Sequence, residues 1–549
     1  MHEIASFDRE RRLPSYFLRM KKFSSLTSSF DNNLWEGAMQ LIISAGSILT
    51  IVLWGIFSPS SLSMVFETAL ASITKNFGWL YLWTVLGLVV FAFFLAFSRY
   101  GDLKLGNEDD EPEFSMGSWF SMLFAAGMGI GLVFWGVAEP ISHYMTAPPG
   151  VQPGSPEAAN AGMRYAFFHW GLHPWAVYGV VALAIAFFQY RRQGKALISE
   201  SISSLPWAPI RRMSGLFNVL AVIATAFGVA ASLGMGALQI NSGLHTVFGL
   251  AVSNTSQVCI ILVTTSLFVT SAVTGVTKGI KILSSLNMIV AVVLALFIFI
   301  IGPTVAIIDT LTNTLGSYLS EFISMSLRMT PFRESQWVGG WTIFYWAWWI
   351  SWSPFVGVFI ARVSRGRTIR EFILGTVIAP SLAAFIWFSV FGGTALYMEI
   401  WQHVPIAAAV KLDASTALFT MFNAMPFGLI MSIIATLLVL VFFVTSGDSA
   451  TLVLGIMSTG GNPDPSAKIK TIWGILVAGI AISLLLAGGL KAVQTATIVF
   501  ALPFTMVILL MVIALWRAIR EDWNEQQRQE RELRRRIKQM TAQETAKPI

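Results

Sequence analysis

Residues 337–372 read WVGGWTIFYWAWWISWSPFVGVFIARVSRGRTIREF, and this stretch decides the fold class. Six tryptophans fall between Trp337 and Trp352, inside an apolar segment that four arginines follow at once. An apolar run that ends in cations is typical of a transmembrane helix whose last turn meets the cytoplasm. The core of a helix bundle does not require so many indoles. Their faces suit a quaternary ammonium cation, which cannot donate a hydrogen bond.

The composition of the whole chain indicates an integral membrane protein. Of its 549 residues, 55% are hydrophobic and only 12% are charged, whereas soluble proteins typically carry about 25% charged residues. The single cysteine, Cys259, excludes an intramolecular disulfide. The net charge of +7 does not require a nucleic-acid partner, because the basic residues follow the membrane topology.

Twelve apolar segments are long enough to cross a bilayer, at about 20 residues each. They are residues 35–57, 77–97, 116–141, 163–190, 216–240, 256–275, 283–308, 338–362, 371–397, 426–446, 470–488 and 493–516. Thirty of the 36 Lys and Arg residues fall in the N-terminal tail, the even-numbered connections and the C-terminal tail. The positive-inside rule therefore predicts that both termini are cytoplasmic, consistent with an even number of spans.

The remaining segments divide the chain into three parts. Residues 1–33 form a basic cytoplasmic tail, residues 34–519 the twelve-helix core, and residues 520–549 a charged cytoplasmic tail. Within the core, residues 310–330 carry apolar side chains at helical spacing and predict an amphipathic helix at the outer membrane interface.

Two predicted spans contain residues that interrupt helices. The third carries GMGIG at 127–131, and the eighth carries SWSP at 351–354. Broken helices at corresponding places indicate a secondary transporter built from inverted repeats, here spans 3–7 and 8–12, with its site at the bilayer midplane. The alternative is close helix packing through the glycines together with an ordinary proline kink.

Aromatic residues of two spans could form a site for a cation. On the fourth span Trp170, Trp175 and Tyr178 can share one broad face, and on the eighth Trp348, Trp349 and Trp352 fall within about 100°. Two such surfaces could enclose a trimethylammonium group. The alternative is interfacial and lipid-facing tryptophan, which is the better explanation for the tryptophans at the start of the eighth span, Trp337 and Trp341.

A zwitterion also needs donors for its carboxylate, and backbone N–H groups at Gly127, Gly129 and Gly131 are the expected ones. Hydroxyls of Thr445 and Ser446, with carbonyls freed near Ala125 and Met128, could hold Na⁺. The alternative is that such hydroxyls donate to carbonyls of their own helix.

Three ionisable residues raise the possibility of an enzyme. His169 and His173 are four residues apart and could ligate a metal, with Glu139 as a further ionisable group. No convincing third ligand and no nucleophile accompany them, so hydrogen-bonded packing is the expected role.

Four motifs together resemble the betaine–choline–carnitine transporter family, and most closely its sodium-coupled glycine betaine carriers. They are GMGIGL at 127–132, HWGLHPWAVY at 169–178, the tryptophan-rich eighth span and FFVTSGDSA at 442–450. The similarity covers about residues 35–516. It implies an all-α membrane protein with a LeuT-like fold, a homotrimer, and a role in osmoprotection.

The resemblance also implies roles for individual residues. The aromatic substrate site would be Trp170, Trp175, Tyr178, Trp348, Trp349 and Trp352, and one Na⁺ site would be Ala125, Met128, Phe442, Thr445 and Ser446. Choline carriers of the family usually have Asp at the place of Gly131, so this glycine favours a zwitterion. Carnitine exchangers that work without Na⁺ have Arg in the fifth span, which lacks a basic residue here and therefore favours Na⁺.

The chain departs from the betaine carriers at a second Na⁺ site. That site uses two threonines one turn apart on the fifth span, and this chain has Thr225 but Val229 in the second place. A site through Thr225 and Phe355 would lack one ligand, which leaves the ion stoichiometry open.

The sequence therefore predicts a carrier of the cell membrane that imports glycine betaine or a close zwitterion with Na⁺, and that needs no organic cofactor. Ectoine, proline, dimethylsulfoniopropionate, carnitine or choline are alternative substrates, and protons an alternative coupling ion. The predicted partners are the solute, Na⁺, membrane lipids and two further copies of the chain.

Overall fold

The computed structural model describes residues 37–127, 129–275, 277–332 and 336–545. Within these residues every regular element is helical, apart from one antiparallel β-bridge between Lys104 and Thr368. The predicted N-terminal tail, residues 1–33, lies outside the described residues.

The helices are numbered in chain order. In the first half they are α1 Gly37–Phe57, α2 Pro59–Phe97, α3 Met116–Gly127, α4 Ile130–Met145, α5 Pro156–Trp170, α6 Leu172–Ala186, α7 Ile198–Ser203, α8 Ala208–Arg212, α9 Ser214–Phe248 and α10 Asn254–Thr274. In the second half they are α11 Thr277–Ile301, α12 Thr304–Ser320, α13 Phe322–Ser326, α14 Phe344–Val363, α15 Ile369–Trp401, α16 Ile406–Leu412, α17 Ala417–Asn423, α18 Gly428–Ser458 and α19 Ala467–Thr545. Short π-helical turns, Phe187–Arg191 and Gly339–Ile343, adjoin α6 and α14.

Among the described residues, ten helical segments are long and apolar enough to cross a membrane. This number differs from the predicted twelve at two places. The predicted third span is divided into α3, with 12 residues, and α4, with 16. The predicted eleventh and twelfth spans both lie in α19, which contains non-helical backbone at Gly488 and Gly489.

The chain reverses direction within α19. Just before this helix, a Cβ at Gly461 would lie 3.2 Å from Leu197, and far along it Asp522 forms an ion pair of 2.7 Å with Arg191. Because residues 191–197 are one short segment, both contacts lie at the same end of the bundle. A straight helix over residues 467–522 would separate them by about 80 Å. The reversal occurs where Gly489 has φ 61°, a conformation that favours glycine.

The predicted interruption of the eighth span is wrong, because α14 continues as a regular helix through Pro354. Proline removes the N–H that would bond to the carbonyl of Ile350, four residues earlier. The hydroxyl of Ser353 donates to that carbonyl oxygen at 2.7 Å. The serine thus satisfies the group that the proline leaves free, and the helix does not need to open.

A break that was not predicted from the sequence divides the fourth span at Gly171. This residue ends α5 and precedes α6 with ψ −130°, which is not helical. A Cβ at Gly171 would lie 2.7 Å from the ring of Phe385, so the close approach requires glycine. The break separates Trp170 from Trp175 and Tyr178.

Helix α14 lies at the centre of the bundle, where it packs against α6, α9 and α19. The segment predicted to be interfacial begins within α12, which packs on α5 and α15 and has exposed side chains at Val305, Ile308 and Leu319. The C-terminal part of α19, from residue 524 to 541, is almost entirely exposed.

Candidate substrate and ion site

A cavity of about 270 Å³ lies between α4, α6, α14 and α18. It begins at Trp170 and extends along α14 to Arg362, at the end of the bundle that carries the basic residues. Its lining includes most of the residues that the sequence predicts to bind solute and ion. They are Gly129, Gly131, Trp170, Trp175, Tyr178, Trp348, Trp349, Trp352, Phe355, Phe442, Thr445 and Ser446.

Three indoles form one end of the cavity. Trp348 and Trp349 stack with ring centres 4.7 Å apart and an angle of 14° between their planes. Trp170 stands nearly perpendicular to both, at 4.9 Å from Trp349 and 6.0 Å from Trp348. These rings enclose a corner in which a cation would contact indole rings from two directions.

The remaining aromatic residues extend this corner. Tyr178 meets Trp349 edge-on at 6.1 Å, and Trp175 meets Tyr178 at 5.6 Å. Trp352 lies one turn along α14, next to Phe355 at 5.3 Å. We refer to Trp170, Trp175, Tyr178, Trp348, Trp349 and Trp352 as the aromatic box. The structure therefore brings all six predicted aromatic residues to one cavity, although Gly171 interrupts the helix on which the first three lie.

The N-terminus of α4 faces the box. Gly129 precedes this helix without a side-chain cap, and its carbonyl oxygen accepts from the N–H of Leu132 at 3.2 Å. The N–H groups of Ile130 and Gly131, which precede Leu132, have no acceptor within the helix. A Cβ at Gly131 would lie 2.5 Å from the ring of Trp348 and 3.0 Å from that of Trp170, so glycine allows the rings to approach the backbone. Gly127 ends α3, and its surroundings lie outside the described part of the structure.

The predicted ion ligands on α18 line the same cavity. Phe442, Thr445 and Ser446 all contribute to its wall. The hydroxyl of Thr445 donates to the carbonyl oxygen of Val441 at 2.9 Å, as the alternative interpretation expected. The bond uses the proton of the hydroxyl and leaves oxygen lone pairs for a cation.

The sequence also predicts two ion ligands in the third span, Ala125 and Met128. Met128 lies outside the described residues, and so does the side chain of Ala125.

The residues predicted for a second ion site do not all line the cavity. Thr225 is buried, and among the described residues its hydroxyl has no hydrogen-bond partner. Val229 is also buried one turn later on α9, where it presents methyl groups. Phe355 lines the cavity, whereas Thr225 is not part of the wall.

Comparison with known proteins identifies the family. The model of the betaine/carnitine/choline transporter family, BCCT, matches residues 40–524. The chain belongs to this family. The chain is 48% identical over 477 residues to the glycine betaine transporter OpuD of Bacillus subtilis, covering 86% of this chain and 93% of the relative.

Two further relatives carry different names. An ectoine/hydroxyectoine transporter of Virgibacillus pantothenticus is 45% identical over 478 residues, which are 87% of this chain and 95% of the relative. A glycine betaine transporter of Acinetobacter baylyi is 41% identical over 503 residues, 91% of this chain and 75% of the relative. The protein is therefore a multi-pass BCCT transporter of the cell membrane and not an enzyme.

The two histidines considered as metal ligands have separate partners in this BCCT transporter. His173 contacts the hydroxyl of Ser326 at 2.9 Å, and His169 contacts Glu139 at 2.6 Å. Glu139 is fully buried. A carboxylate inside a predicted span signals function by default, so the sequence did contain a signal for this residue.

Trp337 and Trp341 were expected in the interfacial belt of the transporter, and this prediction is wrong for Trp337. Its ring is 7% exposed, and its indole N–H donates to the carbonyl oxygen of Thr146 at 2.9 Å. Both rings pack on His143, at 4.9 and 4.4 Å. They close the bundle above the box and on the side away from Arg362.

Three serines in the wall of the transporter's cavity were not predicted from the sequence. They are Ser232 on α9, Ser284 on α11 and Ser449 on α18. Ser232 is 2% exposed, and within the described residues its hydroxyl has no hydrogen-bond partner. An isolated serine in an apolar helix gives no periodic signal, so only the fold could bring Ser232 to the box.

Proposed function

We propose that this transporter imports glycine betaine, or a close zwitterionic quaternary ammonium solute, together with Na⁺. The observation that carries the proposal is the aromatic box at the inner end of the cavity. Each contact between an indole face and a desolvated cation contributes about 0.5–2 kcal/mol. The box offers carbon surfaces to methyl groups and ring faces to their positive charge, which matches a trimethylammonium group.

The carboxylate of the solute would lie against the N-terminus of α4. The N–H groups of Ile130 and Gly131, which have no acceptor within the helix, and the positive end of the helix dipole both favour an anion there. The hydroxyl of Ser232, which is buried without a partner among the described residues, is a further donor within the same wall. The box and these donors would thus meet the two charges of a zwitterion separately.

Na⁺ would bind on α18 through Phe442, Thr445 and Ser446, with Ala125 and Met128 of the predicted third span as the proposed partners. Support comes from the position of the α18 residues in the same cavity as the box. Hydroxyl and carbonyl oxygens suit this cation, and broken helices supply carbonyls without intrahelical donors. We propose that the site through Thr225 and Phe355 is weakened, because Val229 offers no oxygen.

The proposed architecture has twelve spans and two inverted repeats, spans 3–7 and 8–12, with both termini in the cytoplasm. The division of the third span and the reversal within α19 support twelve crossings rather than ten. The unbroken α14 means that the two proposed repeats do not share a break at the same depth. We also propose a homotrimer and the three-part division at residues 33 and 519.

Ectoine is the second candidate substrate, because the relative at 45% identity is named an ectoine/hydroxyectoine transporter. Ectoine carries its delocalised positive charge on a planar amidinium group within its ring, and this group could stack on the paired indoles of Trp348 and Trp349. The other candidates fit less well. Choline has no carboxylate for the N-terminus of α4, and proline and dimethylsulfoniopropionate have no trimethylammonium group for the box. Carnitine has both groups but is longer than glycine betaine.

Uptake by proteoliposomes would rank these solutes. Labelled glycine betaine is supplied with each unlabelled candidate as competitor, in the presence of an inward Na⁺ gradient. The proposal expects glycine betaine itself to compete best, followed by ectoine. Stronger competition by ectoine would make it the substrate, and no saturable uptake of either would overturn the proposal.

A further inference from the structure

Glu139 of α4 is a buried carboxylate directly behind the aromatic box. Its exposed fraction is 0%, and it does not line the cavity. The oxygen Oε2 accepts from the indole N–H of Trp170 at 2.8 Å and from the hydroxyl of Tyr345 at 2.5 Å. The other oxygen, Oε1, contacts His169 Nδ1 at 2.6 Å and His143 Nε2 at 3.2 Å.

The two oxygens face different sides of the network. Oε2 faces the box, because Trp170 lines the cavity and the ring of Tyr345 stacks on Trp349 at 5.8 Å. Oε1 faces the two imidazoles, and that of His143 packs under rings that close the bundle away from the cavity. Even when both nitrogens of His169 carry a proton, the positive imidazole lies on the Oε1 side of the carboxylate and the negative Oε2 lies on the side of the box.

A metal ion is the alternative occupant of this cluster. The ligand atoms of Glu139, His143 and His169 lie within 4.8 Å of one another, a spacing that would suit a metal ion. Here Oε1 contacts both imidazole nitrogens directly, and Oε2 already accepts two protons. An ion would have to break these short bonds, so the geometry favours a closed hydrogen-bonded network.

We propose that the Glu139 carboxylate is the counter-charge of the aromatic box, and that it makes the box prefer a cationic head group over a neutral one of the same shape. The inference rests on the proposed function, since it concerns selection by the same box. A carboxylate that accepts from an indole N–H draws positive charge to the ring edge and leaves the face more negative. It also attracts the ammonium directly through a medium of low dielectric constant.

Glu139 does not line the cavity and contacts the box through the indole N–H of Trp170, so it is a positioning residue. Its charge can be separated from its hydrogen bonds by Glu139→Gln, because the amide oxygen can accept from Trp170 and Tyr345 while the NH₂ group faces the imidazoles. The probe pair is glycine betaine and 3,3-dimethylbutyrate, which has a neutral tert-butyl group in place of trimethylammonium. Binding of labelled glycine betaine to purified protein, and its competition by 3,3-dimethylbutyrate, give two dissociation constants per variant.

The counter-charge predicts that Glu139→Gln binds glycine betaine about tenfold more weakly, while its affinity for 3,3-dimethylbutyrate stays within about twofold. The ratio of the two affinities therefore falls. A purely structural role would weaken both ligands alike, and an unchanged ratio would overturn the inference. Glu139→Asp retains the charge and should retain the ratio even where both affinities fall. A reduced ratio of the two affinities in Glu139→Asp would also contradict the inference.

Glu157→Gln is the matched control, because it removes the same charge from the exposed start of α5, the helix that ends at Trp170. Both dissociation constants should match those of the wild type. Failure of the wild-type protein to bind glycine betaine at all would overturn the proposed function, whereas normal binding with an unchanged ratio in Glu139→Gln would overturn the counter-charge alone.

Discussion

The indole N–H of Trp349 donates to the main-chain carbonyl oxygen of His169 across 2.9 Å. This bond joins α14 to the last turn of α5, directly before the break at Gly171. Carbonyls in the last turn of a helix lack intrahelical donors, and this one finds its donor in the box. The bond also fixes the plane of the Trp349 ring, so that its face is held against the cavity before any solute enters.

Replacing Trp349 by leucine should weaken glycine betaine binding on the order of tenfold. Leucine retains bulk but has no ring face and no N–H for the carbonyl of His169. Trp349→Phe is the matched control, because it retains a face and loses only the donor, so its defect should be smaller. Isothermal titration with each purified variant measures the change. Equal affinities in the wild type and the leucine variant would show that this ring does not contact the solute.

Trp352→Leu should have a second consequence besides weaker binding. The indole N–H of Trp352 donates to the carbonyl oxygen of Gly228 at 2.7 Å and so joins α14 to α9. Losing this bond should cost about 1 kcal/mol of stability, and thermal unfolding in detergent measures it. An unchanged melting temperature together with an unchanged affinity would show that Trp352 neither stabilises the bundle nor contacts the solute.

Gly131→Asp tests the end of the cavity at α4. A Cβ there would lie 2.5 Å from Trp348, so every side chain must displace this ring. We therefore expect both Gly131→Ala and Gly131→Asp to lose glycine betaine uptake. Only the aspartate should gain choline uptake, because a carboxylate attracts a bare quaternary ammonium and repels the carboxylate of betaine. Choline uptake by the alanine variant, or by neither, would contradict this role.

Val229→Thr should raise the cooperativity of Na⁺ activation. We expect a wild-type Hill coefficient near one, because Val229 offers no oxygen beside Thr225. The threonine would restore a hydroxyl one turn from Thr225, whereas Val229→Ala, the control, adds none. Initial uptake rates over a range of Na⁺ concentrations give the coefficient. A wild-type value clearly above one that the threonine leaves unchanged would show that the second site works without this side chain.

The sequence predicted the fold best where helices are long and apolar, because composition alone fixes them. It predicted the divided third span from Gly127–Gly131, where several glycines lie together. It was wrong at Pro354, because a proline in sequence does not show that Ser353 satisfies the freed carbonyl. It missed Gly171, because the ring of Phe385, more than two hundred residues away, helps to make that glycine necessary.

The sequence predicted those parts of the site in which the type of residue alone indicates what it binds. Tryptophans on two spans indicated the box, since ring faces are its working surface. The hydrogen bonds of Glu139 behind the box could not be predicted, because its partners come from three different helical segments. The same holds for Ser232, whose single hydroxyl becomes informative only once α9 packs against the cavity.

The C-terminal tail should govern the response to osmotic upshift. Asp522 forms ion pairs with Arg191 and Arg192, and Trp523 packs on Tyr100, so the first residues of the tail are docked on the bundle. The basic residues beyond them are exposed and could meet anionic lipid at about 1 kcal/mol each. Truncation after Asn524 should thus alter activation by upshift and leave glycine betaine binding intact.

A second truncation separates the docked and exposed parts of the tail. Ending the chain after Arg520 also removes Asp522 and Trp523, and should change activation more strongly than ending it after Asn524. Uptake in proteoliposomes at increasing external osmolality compares the two. Identical activation of the full chain and both truncated chains would leave the tail without a regulatory role.

Accumulation of labelled glycine betaine in proteoliposomes tests the central claim most directly. Purified protein is reconstituted with K⁺ inside, and the vesicles are diluted into Na⁺ or, as the matched control, into K⁺ at equal osmolality. A Na⁺-coupled importer should concentrate glycine betaine above its external level only in Na⁺, and Trp349→Leu should reduce this accumulation. Equal uptake in Na⁺ and in K⁺, or accumulation driven by a proton gradient alone, would contradict the account.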